Sequence, residues 1–179
     1  MKKWLSASFA ALALAAHTSA QEPEVLAQFD GGIGVTPVAN VAQEIDPQTA
    51  TFANVVQNVV RGIRPAGPWR ITDLKAIILR DGRISVRGKG LLLAGGNRIG
   101  QNAGQSVFAT LICEVNGPFA EHSTNLQGVP LDPNGNFQID DTLSSVPVEC
   151  ASPVFLIRSA NLPDKNWFAA GILRQAAVQ

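Results

Sequence analysis

Beyond its first twenty residues this chain is broken so often by Gly, Pro, Asn and Asp that the runs between them reach only strand length. Those runs are rich in Val, Ile, Leu, Phe and Thr, which fit a pleated surface, while the breaking residues supply the backbone angles of tight turns. The pattern favours an all-β domain. Its clearest unit is a hairpin: residues 74–80 run into Asp81-Gly82, a pair suited to positive φ, and residues 83–90 return. In the returning arm Arg83, Ser85, Arg87 and Lys89 point one way while Ile84 and Val86 point the other, because side chains alternate across a strand. One face of the hairpin meets water and the other meets a core.

Residues 91–94 are apolar throughout, as a strand covered on both faces requires, and the glycine-rich loop at 95–104 ends them. Residues 107–115 are the strongest central strand, with Val107, Ala109, Leu111, Cys113 and Val115 on one side and Phe108, Thr110 and Ile112 on the other. Further strands are expected near 129–131, 136–140, 146–150, 154–159 and 167–173. Residues 51–60 fit two patterns. Phe52, Val55, Val56, Val59 and Val60 match a helical face and Asp46-Pro47 suits a helix start, but the four valines favour extended structure, so the stretch is read as strand. The sum is a single domain of about eight antiparallel strands. A β-sandwich is the leading architecture and a small closed β-barrel the second.

Residues 1–20 have the three parts of a secretory signal peptide: Lys2 and Lys3, an apolar run over 4–16, and small residues ending at Ala20. The expectation is a cleaved leader and an exported, periplasmic or secreted domain over 21–179. The apolar run is shorter than the roughly 20 residues a membrane helix needs, and no later stretch is long and apolar enough, so no transmembrane segment is expected. No cysteine lies near the cleavage point to carry a lipid, since Cys113 and Cys150 are the only two. In an oxidising compartment these two are expected to form a disulfide rather than a metal pair, because His122 is the one histidine left after cleavage. An outer-membrane barrel of eight strands is disfavoured because its aromatic girdles have no tyrosine to draw on.

Charge is strongly segregated along the chain. Residues 21–60 hold five acids and no base, residues 61–98 hold nine bases against Asp73 and Asp81, and residues 99–157 hold six acids and no Lys or Arg. With Arg158, Asp164, Lys165 and Arg174 in the C-terminal part, the mature chain sums to −5 + 7 − 6 + 2, or −2. Arg83, Arg87 and Lys89, joined by Arg80 and Arg98 if the fold brings them near, are the candidate anion-binding residues, suited to an anionic envelope polymer or an acidic polysaccharide. The competing reading is that basic strands lie beside acidic ones and pair with them across the sheet. Nucleic acid is the weakest partner, for want of interleaved aromatic and basic residues. Self-association is a further reading, with residues 21–41 as an extended arm that adds a strand to a neighbour.

Motifs that could carry chemistry are sparse. His122, between Glu121 and Ser123, is the one candidate histidine base, and it reads as a loop residue near Gly117-Pro118. Asp132-Pro133-Asn134-Gly135-Asn136 superficially resembles a calcium loop, but Phe137 and Leu143 stand where Gly and a bidentate Glu belong, so a strand-joining turn is expected. Gly95-Gly96-Asn97-Arg98-Ile99-Gly100 lacks the Lys-Ser/Thr of a phosphate-binding loop. Glu114, Glu121, Asp140, Asp141 and Glu149 could in principle supply a carboxylate pair. No cofactor or metal is called for. The favoured function is a non-enzymatic module that binds an envelope or extracellular component or serves as a structural subunit. The rival is a small secreted hydrolase using carboxylates or His122.

Overall fold

The computed structural model describes residues 24–36, 45–46, 51–52, 58–114 and 118–174. Among them every regular element is a strand. The first are β1 (Val25–Gly34), β2 (Ile45–Asp46), β3 (Thr51–Phe52), β4 (Trp69–Arg70), β5 (Asp73–Leu79), β6 (Arg83–Lys89) and β7 (Leu92–Leu93). The rest are β8 (Ser106–Glu114), β9 (Phe119–Ser123), β10 (Val129–Pro130), β11 (Phe137–Thr142), β12 (Ala151–Ser159) and β13 (Trp167–Leu173). Eight strands follow one another in a continuous antiparallel sheet, in the order β10-β8-β12-β13-β1-β5-β6-β11, with β9 also pairing on β8. The all-β class and the antiparallel pairing match the sequence expectation; the main path has the expected eight strands, and five more, β2, β3, β4, β7 and β9, lie off it. The sheet curls into a half-barrel whose inner face encloses the main core.

Alternation explains the curl. Leu74, Ala76 and Ile78 of β5, Ile84 and Val86 of β6, and Phe137 and Ile139 of β11 are buried inside, where they meet Phe29, Leu111, Phe155 and Phe168 from the other half of the sheet. Phe29 and Phe155 stack at 5.1 Å across that core. Bulges interrupt the β1–β13, β12–β13 and β12–β8 ladders, and each adds local twist. Gly88, opposite Phe137 in the β6–β11 register, has no side chain because a Cβ there would enter the Phe137 ring. The two edges of the curled sheet approach each other. Ser144 N–H donates to Ser123 O at 2.8 Å and Asn125 N–H donates to Asp141 Oδ2 at 2.8 Å, so hydrogen bonds cross the seam.

A second apolar cluster lies on the outer face, where Ile112 of β8, Leu156 of β12 and Trp167 of β13 are covered by Val35 and Ile63. The cover is a strap of residues 58–66. Val60 and Ile63 exchange both backbone hydrogen bonds around Arg61 and Gly62, whose φ values of 49° and 85° are those a tight hairpin turn of the primed type demands. Ala66 N–H then donates to Trp167 O, Trp167 N–H to Arg64 O, and the Trp167 indole N–H to Asn58 O, each at 3.0 Å. Strands β8 and β12 are thus buried on both faces near their middles, as the apolar run at 107–115 requires.

The Asp81-Gly82 hairpin forms as expected, with Gly82 at φ 89°. The expected disulfide is present, joining Cys113 in the core to Cys150. Several expectations are corrected. Residues 146–150 form no strand; Val146 and Val148 are exposed and the segment serves as the approach of Cys150 to β8. Residues 91–94 yield only the two-residue β7, paired with β4 rather than with the main sheet, because Gly90 at φ 67° turns the chain out of line before it. Residues 25–34 are a central strand between β5 and β13 of their own chain, not a projecting arm. His122 lies in β9, not in a loop. Of residues 51–60, Thr51 and Phe52 are strand, and 53–57 lie outside the described residues, as do the expected leader and Val115. Among the described residues no helix is long and apolar enough to cross a membrane.

Candidate functional site

Three of the five candidate cations stand on one outward face. Arg83, Arg87 and Lys89 alternate along β6, and the register sets Lys75 of β5 and Gln138 of β11 on either side of Arg87. Acids are threaded through the same face. Asp30 lies 3.9 Å from Lys75, Asp81 Oδ2 lies 2.8 Å from Arg83 Nε, Asp73 is opposite Lys89 in register, and Asp140 accepts a hydrogen bond from Ser85 Oγ at 2.6 Å. Arg80, at the end of the hairpin arm, pairs with Glu24 at 3.1 Å. Arg98 is not gathered with them; its loop is bonded to β7, and its own Nε donates to Gln101 at 3.0 Å. Arg87 and Lys89 therefore differ from the other β5–β6 cations, having no carboxylate within 4.0 Å among the described residues.

The carboxylates respond to these neighbours. Asp140 is held below the usual range by the Ser85 hydroxyl, then by the Gln138 amide and the charge of Arg87, and Asp81 is lowered by the backbone N–H and the side chain of Arg83. A shallow depression of about 490 Å³ adjoins this face, with Ile77, Leu79 and Ile84 as its apolar part and Arg83, Ser85 and Asp140 around it.

Asp132 closes the turn between β10 and β11, its carboxylate accepting from the backbone of Asn134 and Asn136 and from the Asn136 amide, which keeps its pKa low. Among the described residues no group of three or more His, Cys, Asp or Glu is placed to hold a metal. Asp140 and Asp141 point to opposite sides of β11, the first to Ser85 and the second to Asn125 across the seam, so they do not face each other. His122 Nδ1 lies 2.9 Å from the carbonyl O of Ser145 and 2.8 Å from its Oγ. A carbonyl only accepts, so Nδ1 carries the proton and is not free to take one from the Ser145 hydroxyl. Nε2 is left buried without a partner.

One charged site was not singled out from the sequence. Arg158 is outward-facing on β12, yet only 9% exposed, because the strap and the β12–β13 turn cover it. Its Nη1 donates to Glu121 Oε2 of β9 at 2.6 Å, its Nε donates to the Lys165 carbonyl at 2.7 Å, and its guanidinium lies 5.3 Å from the Phe108 ring. Arg158, Glu121, Arg64, Asp164, Gly62 and Ile63 line an open cleft of about 370 Å³. The sequence signal was a lone arginine ending the apolar run 154–157, since a base in a buried strand requires partners. No protein-family model, curated protein or solved structure matches this chain.

Proposed function

We propose that this protein is an exported, non-enzymatic β-domain that binds an envelope or extracellular component, with the outward face of β5, β6 and β11 as its contact surface. The observation that carries the reading is the pair Arg87 and Lys89, two residues apart on one exposed strand, beside Lys75 and without a carboxylate within 4.0 Å among the described residues. An acidic polysaccharide suits it: anionic groups meet Arg87 and Lys89, and the less polar faces of the sugars lie over Ile77 and Leu79. The Cys113–Cys150 bond supports an oxidising destination. The engagement of His122 Nδ1 with a backbone carbonyl and the divergence of Asp140 from Asp141 weigh against the hydrolase alternative.

The test is retention on an immobilised acidic polysaccharide as salt is raised. Replacing Arg83, Arg87 and Lys89 together with Gln should lower retention and flatten its salt dependence, because fewer counterions are displaced. Replacing Arg80 and Arg83, which already have acidic partners, should do less. Unchanged retention and salt dependence in the triple variant would remove the proposal.

A further inference from the structure

The cleft around Arg158 is a built site rather than a chance gap between loops. Four elements converge on it: the strap gives Gly62, Ile63 and Arg64, β9 gives Glu121, β12 gives Arg158, and the β12–β13 turn gives Asp164. Two non-glycine residues with positive φ adjoin lining residues in the chain, Arg61 at 49° before Gly62 and Lys165 at 49° after Asp164. Lys165 offers its carbonyl to Arg158, so the β12–β13 turn helps to hold the arginine in place. The Arg158 guanidinium has five N–H donors and spends two of them, on Glu121 and on Lys165.

The charges in the cleft come as two of each sign. Arg158 and Glu121 are bonded to each other at its inner side, but Arg64 and Asp164, which line the same cleft, make no ion pair or side-chain hydrogen bond among the described residues. A simple anion would gain from the two guanidiniums and be repelled by the two carboxylates. A simple cation would meet the reverse. Only a ligand carrying both signs a few bonds apart satisfies all four groups, since the favourable contacts then outnumber the opposed ones. We infer that this cleft binds a small zwitterion, a free α-amino acid or a short peptide, with its carboxylate on Arg64 and Arg158 and its ammonium on Asp164 and the free oxygen of Glu121. The site is distinct from the β5–β6–β11 face and does not depend on it.

The test is a nuclear magnetic resonance titration of the folded, disulfide-bonded protein with L-alanine, L-glutamate, L-phenylalanine and dialanine. The controls are acetate, methylammonium, N-acetyl-L-alanine and L-alaninamide. At least one zwitterion should give saturable amide shifts at Gly62, Ile63, Arg64, Glu121 and Asp164, and each single-charge control should bind at least about tenfold more weakly. Arg64 and Asp164 are exposed or nearly so, and their replacement should leave the fold intact. Arg64→Gln should weaken the zwitterion and acetate alike, whereas Asp164→Asn should weaken the zwitterion and, by removing a repelling carboxylate, strengthen acetate. Acetate binding as tightly as the zwitterions, shifts scattered away from these residues, or no saturable shift in the tens of millimolar range would each overturn the inference.

Discussion

On the outward face of β5, β6 and β11 the cations stand in water between acids, whereas on the outward face of β12 the one cation, Arg158, is closed in by a strap, a turn and an aromatic ring. Both regions set a base at an outward position of a strand, β6 alternating and β12 apolar on both faces before it. They differ in what lies above. Exposed ion pairs of the Lys75–Asp30 kind contribute about 0.2–1 kcal/mol and fade with salt. Arg158 has given up most of its hydration, and its bonds to Glu121 and Lys165 are what make that burial tolerable. Cover, not charge, therefore decides whether an arginine on this sheet is a surface group or part of the architecture.

The sharpest way to break the contrast is to remove the cover. Trp167→Ala deletes the indole that bonds Asn58 and anchors Ile63, and should cost about 3–5 kcal/mol of unfolding free energy by denaturant titration. In that variant Arg158 becomes a surface residue like the others. A loss below about 1 kcal/mol would mean that the strap is not held by this side chain. The next effect is Arg158→Met, which strands neither partner in a dry site but forfeits two charge-assisted bonds, for an expected loss of about 2 kcal/mol. Arg87→Met on the open face should stay within about 0.5 kcal/mol of the parent. Equal losses at the two positions would erase the comparison.

The smallest effect is in acid. The folded-state pKa of Asp140 is depressed, chiefly by Ser85, so its stabilising contribution is complete above the unfolded value of about 3.9 and is lost as pH falls through the lower folded value. Stability measured between about pH 5 and pH 2 should therefore decline slightly less in Asp140→Asn, and in Ser85→Ala, than in the parent. An identical decline in all three would show that the carboxylate's neighbours do not hold it in solution.

How much of this was legible beforehand depended on whether the cause was local. The β5–β6 hairpin and β8 follow from alternation and turn chemistry carried by neighbouring residues, and both were readable. The disulfide followed from there being only two cysteines in a chain expected to be exported. By contrast β1 is rich in glycine, with Gly31, Gly32 and Gly34 near its end, and it becomes a strand because β5 and β13 flank it. Residues 146–150 alternate like a strand, but they find no partner and serve the disulfide instead. The Arg158 cleft gathers residues from four distant parts of the chain, and none of their local patterns points to the others. The segregation of charge along the chain was real, yet the strand order interleaved basic β5 and β6 with acids from β1 and β11.

The place of β1 has a consequence for how the molecule comes into being. Its first long strand is completed on one side only by its final one, with Gly34 opposite Ala169 and Phe29 opposite Leu173. During synthesis, the emerging N-terminal half has no way to satisfy that edge, and Phe29 waits for Phe155 and Phe168 to arrive. Closing the sheet thus needs both ends of the described chain, and such distant pairings make that step slow.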